Sequence, residues 1–131
     1  MWRDIKLDGG TQLGDLHKSR IIEWVKRMRG GESLSDTIRR YLGKDEYFTS
    51  VVLYNEQSVN TIVGSGPLPF DVYEKRFIYK EELLALFTFP QDYIFRNNNS
   101  HKIKYILGMS VMPFMSKYIA ELIVKQWLSK I

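Results

Sequence analysis

Side chains able to do covalent chemistry are scarce in this chain. It has no cysteine, which excludes disulfides, thiolate metal centres and a thiol nucleophile. His17 and His101 stand apart, without ligand spacing to Asp, Glu or each other, so no metal site is expected. Glu81-Glu82 is a carboxylate pair, but adjacent positions of a helix face different ways. Glu81 therefore reads as a partner for a helix N-terminus, and no catalytic residue is expected. Lys26, Arg27, Arg29, Arg39 and Arg40 make basic helix faces, either plainly solvated or a track for phosphates. Ser65, between Gly64 and Gly66, stands where backbone could approach a ligand closely or where the chain simply turns.

These residues belong to a chain of 131 residues, enough for one core. It is 44% hydrophobic and 26% charged, an ordinary globular balance. The net charge of +4 permits phosphate contact without requiring it. No apolar run reads as long enough to span a bilayer, and Met1-Trp2-Arg3-Asp4 lacks a signal-peptide core. The expectation is a cytoplasmic protein without membrane contact.

The elements follow from pattern. Met1 to Asp15, with three glycines, reads as an irregular arm. Ile21, Ile22, Val25 and Met28 predict a helix over Arg20–Arg29 capped by Ser19. Ser33 to Leu42 predicts a second, with Leu34, Ile38, Tyr41 and Leu42 inward and Gly43 as the stop. Phe48–Tyr54 and Val59–Val63 are β-branched and aromatic, which predicts a hairpin. Gly64–Pro69 is a loop, and Phe70–Ile78 is extended. Lys80–Phe87 predicts a short helix stopped ahead of Pro90. Asn97 to Ser100 is a polar turn, and Lys102–Leu107 a short helix or extended piece. Pro113 suits the first turn of a final helix running to the C-terminus. The fold class is therefore mixed α/β (α+β): two N-terminal helices, a small antiparallel sheet, a short helix and a long C-terminal one.

That last helix has two apolar faces. Phe114, Met115, Tyr118, Ile119, Leu122 and Ile123 form one; Ala120, Val124, Trp127 and Ile131 form another. A surface helix needs only one. This helix is either central in its own domain or covered by something outside the chain.

Two stretches carry a family resemblance. Arg76-Phe77-Ile78-Tyr79-Lys80-Glu81-Glu82-Leu83-Leu84-Ala85-Leu86-Phe87-Thr88-Phe89-Pro90 resembles the ninth conserved motif of DNA (cytosine-5) methyltransferases. Ile106-Leu107-Gly108-Met109-Ser110-Val111-Met112-Pro113, continuing to Ile119-Ala120, resembles the tenth. Gly31-Glu32-Ser33 and Asn60-Thr61-Ile62-Val63 match weaker upstream elements. The likeness covers about residues 22–131, with the motifs from 76 on. Departures are Tyr79 for a threonine, Ala85 for an arginine, Phe87 and Ile106 for glutamines, and Met109 for an asparagine.

The resemblance implies a division of the chain. Residues 1–75 would belong to the target-recognition region that reads double-stranded DNA, with Thr61 on a phosphate near the flipped nucleotide. Ser65 would lie close to DNA, and Arg76 would anchor the region. Residues 76–131 would carry motifs nine and ten, with Gly108, Met109, Ser110 and Val111 beside S-adenosylmethionine. Methylation at carbon 5 proceeds in that family through a cysteine thiolate, which this chain lacks, so it would not act alone. A larger catalytic chain or domain would supply the cysteine, a glutamate and most of the cofactor pocket. The implied setting is a split methyltransferase subunit in restriction–modification. The alternative is a diverged, inactive accessory protein that binds a protein or DNA partner. Lacking its partner, the chain has an apolar helix face through which homo-oligomers can form.

Overall fold

Ser33 accepts a hydrogen bond from the Asp36 N–H (3.0 Å), and Gly43 closes the same helix at φ +64°. That helix, α2 (Leu34–Leu42), has the expected bounds in the computed structural model, which describes residues 1–47, 49–96 and 99–131. It follows α1 (Ile22–Val25), much shorter than expected. After Val25 the hydrogen bonds tighten to three-residue turns, Arg27 to Trp24 and Met28 to Val25. Leu34 and Ile38 are fully buried, whereas Tyr41 and Leu42 are half exposed. These two share the inward face but sit in the last turn, past the edge of the core.

Three two-residue strands make one mixed sheet, β1 (Val52–Leu53), β2 (Phe70–Asp71) and β3 (Arg76–Phe77). β1 runs parallel to β2, pairing Val52 with Phe70. β2 and β3 form an antiparallel hairpin, with Asp71 opposite Arg76. The expected hairpin between 48–54 and 59–63 does not form, although Phe48 itself lies outside the described residues. Val51 to Tyr54 are all buried. A strand covered on both faces needs an equally buried partner, and Phe70-Asp71 provides it. Residues 59–63 are mostly half-exposed or exposed and stay irregular.

β1 also divides the interior. Leu53 and Val51 point into a core with Trp2, Ile78, Leu83, Leu84, Ile103 and Leu107. Val52 and Tyr54 face a second one, with Leu16, Ile22, Val25, Leu34, Ile38 and Phe70. Alternation along a strand produces this split. The N-terminal segment is no loose arm. Trp2 is fully buried in the first core, and its indole N–H donates to Asp71 Oδ2 at 2.7 Å.

After the sheet come α3 (Lys80–Leu86), α4 (Ser100–Gly108) and α5 (Pro113–Gln126). Of the expected polar turn before α4, Asn97 and Asn98 lie outside the described residues. Asn99 caps α4 by accepting from the N–H groups of His101 and Lys102. α3 closes two residues past its end: Phe89 N–H donates to Leu84 O (2.9 Å) and Thr88 N–H to Ala85 O (3.0 Å). This closure requires a left-handed residue, and Thr88 takes it at φ +57°. By length and composition, Ser100–Lys130 is apolar enough to cross a bilayer, contrary to the sequence expectation. The chain breaks that stretch between Gly108 and Pro113. The fourteen residues of α5 rise about 21 Å, short of the roughly 30 Å hydrocarbon thickness.

Candidate functional site

The segments 59–62 and 108–112, far apart in sequence, meet at the end of α3. They enclose a cavity of about 320 Å3, lined by Thr61, Ile62, Leu86, Phe87, Gly108 and Ser110 among others. The meeting depends on two glycines. A Cβ on Gly108 would lie 2.8 Å from the Gly64 nitrogen and 2.9 Å from its Cα. Only a bare backbone at 108 permits this crossing.

Lys104 holds the loop from the other side. It is almost fully buried, and its Nζ donates to the carbonyls of Val63 (3.0 Å), Gly66 and Pro67 (3.4 Å). Burial pushes its ammonium below the ordinary lysine range. Ser65 is thereby left exposed at the tip of a loop whose inner carbonyls are bound. The sequence carried a signal for Lys104, a cation between Ile103 and Leu107 on an apolar helix face.

Arg76 lies elsewhere, in a closed ionic network. Its guanidinium donates to both oxygens of the fully buried Glu82, at 2.7 and 2.8 Å. It also reaches Glu74 and Leu7 O, and stacks on Tyr79 with Cζ 3.9 Å from the ring centroid. Burial opposes its charge, but Glu82 and Glu74 outweigh that, so its pKa rises. Lys6 bridges Glu74 and the buried Asp71, each at 2.9 Å. Burial pushes the Asp71 carboxyl up. Donation from Glu74 N–H, the Trp2 indole and Lys6 more than reverses it, leaving the carboxyl below its usual range. Glu82 further accepts from the N–H groups of Leu7 and Tyr79. Glu81 binds Thr11 through its N–H (2.8 Å) and hydroxyl (2.6 Å). The two adjacent carboxylates together pin the N-terminal segment to α3 and β3.

Met109 to Met112 form the turn between α4 and α5. Met109 N–H donates to Tyr105 O and Ser110 N–H to Leu107 O, both closing α4. The Ser110 hydroxyl also donates back to Leu107 O (2.6 Å), so Ser110 does not cap α5. At the start of α5, Pro113 has no N–H, and that of Phe114 donates to Thr88 Oγ1 at 3.1 Å. Thr88 thus closes one helix with its backbone and caps the next with its side chain. Met109 and Val111 are exposed beside the cavity.

From this mount α5 leaves the body with no buried residue. Phe114, Tyr118 and Trp127 are each more than 60% exposed, and Met115, Ile119, Ile123 and Val124 about half. Lys117, Glu121 and Lys125 form a polar stripe, with Lys117 and Glu121 3.8 Å apart. Apolar side chains occupy roughly two thirds of the circumference. Among the described residues no group of His, Asp and Glu is placed to hold a metal ion. In comparisons with family models, curated proteins and solved structures, no match to this chain is found.

Proposed function

We propose that this chain is a non-catalytic, DNA-binding part or subunit of a cytoplasmic DNA cytosine-5 methyltransferase, docking on a larger catalytic chain through α5. The observation that carries the reading is the helix itself, apolar over most of its circumference and covered by none of the described residues. A partner must surround such a helix. A symmetric helix pair covers one stripe. An interfacial membrane helix needs a strongly charged face, and α5 has only the narrow Lys117–Glu121–Lys125 line. A groove between elements of another domain fits. The two motif-like stretches and their order are what favours a methyltransferase domain as that partner. The meeting of Thr61 with Gly108 and Ser110 in one cavity supports it, because the resemblance assigns the first to DNA and the others to S-adenosylmethionine.

A second reading is favoured by the engaged N–H groups of Met109 and Ser110. They leave few donors for a cofactor carboxylate, which suits a diverged accessory protein that docks without serving the cofactor.

The test is co-expression with the product of the reading frame immediately upstream, with the tag on this chain. Methyl transfer from S-adenosylmethionine to DNA by the co-purified pair, absent from either chain alone, is the expected result. Ile119→Glu with Ile123→Glu should abolish co-purification. A stable pair without activity points to the accessory reading. A chain that captures no such partner sinks both docking proposals.

A further inference from the structure

The surface shared by α1 and α2 presents aromatic rings among cations. The Trp24 and Tyr41 ring centroids are 6.2 Å apart with planes tilted by 50°. The Arg27 guanidinium lies over both rings, 5.3 Å from the Trp24 centroid and 5.5 Å from that of Tyr41. Arg40 covers Tyr41 at 4.7 Å. The two arginines differ in one respect. Arg40 is committed to Glu32, with Nη2 2.9 Å from Oε2, and to the Arg27 carbonyl. Arg27 has no ion pair among the described residues.

The carboxylates nearby are occupied. Glu23 holds Lys26, and Asp36 and Asp45 both hold Arg39. Residues 18–44 contain eight Lys and Arg against three Asp and Glu. Among the described residues no carboxylate forms an ion pair with Arg27, and Glu23 acts on its charge only from beyond ion-pair distance. A guanidinium held on rings but left without a carboxylate is ready for a phosphate. Tyr41 is half exposed beside it, a ring on which a base can stack by displacing the Arg40 guanidinium. A duplex keeps its base faces stacked inside, while a single strand exposes them.

We propose that the α1–α2 surface binds single-stranded nucleic acid, with Arg27 on a phosphate and an unpaired base against Tyr41. This rests on residues separate from α5 and from the Thr61 cavity, so it stands or falls apart from the methyltransferase reading.

The experiment is fluorescence anisotropy with labelled oligo-dT of about 12 nucleotides, a duplex of equal length and phosphatidylserine vesicles as competitors. The chain should prefer the single strand. Tyr41→Ala should weaken binding about ten-fold, the scale of one lost stack, while Tyr41→Phe retains it. Arg27→Gln should weaken binding and flatten its salt dependence. Tyr41 is half exposed, so Tm should stay at the wild-type value; Tyr41→Leu serves if Tyr41→Ala unfolds. No strand binding, tighter duplex binding, displacement by vesicles alone, or equal affinity of Tyr41→Ala and the wild type would overturn the proposal.

Discussion

Glu32 shows how single residues set local stability here. It accepts from Arg40, from the Arg29 N–H and from the Thr37 hydroxyl. The Arg40 hydrogen bond lowers its pKa most, burial opposes this, and the other donors add to the lowering, so it falls to about 2. A depressed carboxylate stabilises the fold above its unfolded pKa of roughly 4.3. That contribution is lost as pH falls through the folded value near 2. Acid unfolding followed by circular dichroism should therefore show stability declining between about pH 4.5 and 2. In Glu32→Gln the decline should be shallower, with about 1 kcal/mol already lost at neutral pH. Equal pH profiles for the two proteins would count against this account. The polar contacts of Glu32 could not be read from sequence. Gly31-Glu32-Ser33 is motif-like in sequence, but the partners of Glu32, Thr37 and Arg40, are set by the turn at Gly31.

At the scale of elements, the decisive features are where helices end. Gly43 ends α2 as glycine should, and the sequence announced it. Thr88 ends α3 in a conformation that β-branched residues rarely take, and nothing in the sequence marked it. Its hydroxyl, capping α5, gives the strained position a second use. The α4 end depends on bare backbone. Gly108→Ala should cost about 1–3 kcal/mol in urea unfolding, because the new Cβ meets the Gly64 backbone. It should also disturb the loop that carries Thr61. Gly30→Ala is the control: its Cβ would meet nothing within 4 Å, and its stability should stay near wild type. Equal effects of the two would mean that the Gly64–Gly108 crossing does not constrain the fold.

Taken whole, the molecule is two small cores on either side of one strand, with an uncovered helix projecting from them. An exposed apolar helix of this size favours association. Sedimentation should find the isolated chain self-associating at micromolar concentrations. Ile119→Glu with Ile123→Glu should make it monomeric while leaving Tm unchanged, since neither residue is buried. A large fall in Tm would show that α5 folds back onto the body, contrary to the structure described.

The sequence by itself determined the mixed α+β class, α2, α3 and α5 with their approximate limits, the absence of a thiol nucleophile, and the surplus of apolar surface on the last helix. Each is local: a cap, a periodicity or a missing residue type is visible without knowing what lies across the core. Tertiary structure alone decided the rest. It chose Phe70-Asp71 rather than 59–63 as the partner of the central strand, because burial on both faces demanded a buried neighbour. It drew Trp2 into the core and tied Arg76 to Glu82, since a buried charge must find its counter-charge wherever the chain brings one. It brought Thr61 to the same cavity as Gly108 because two glycines, forty-four positions apart, allow two backbones to touch.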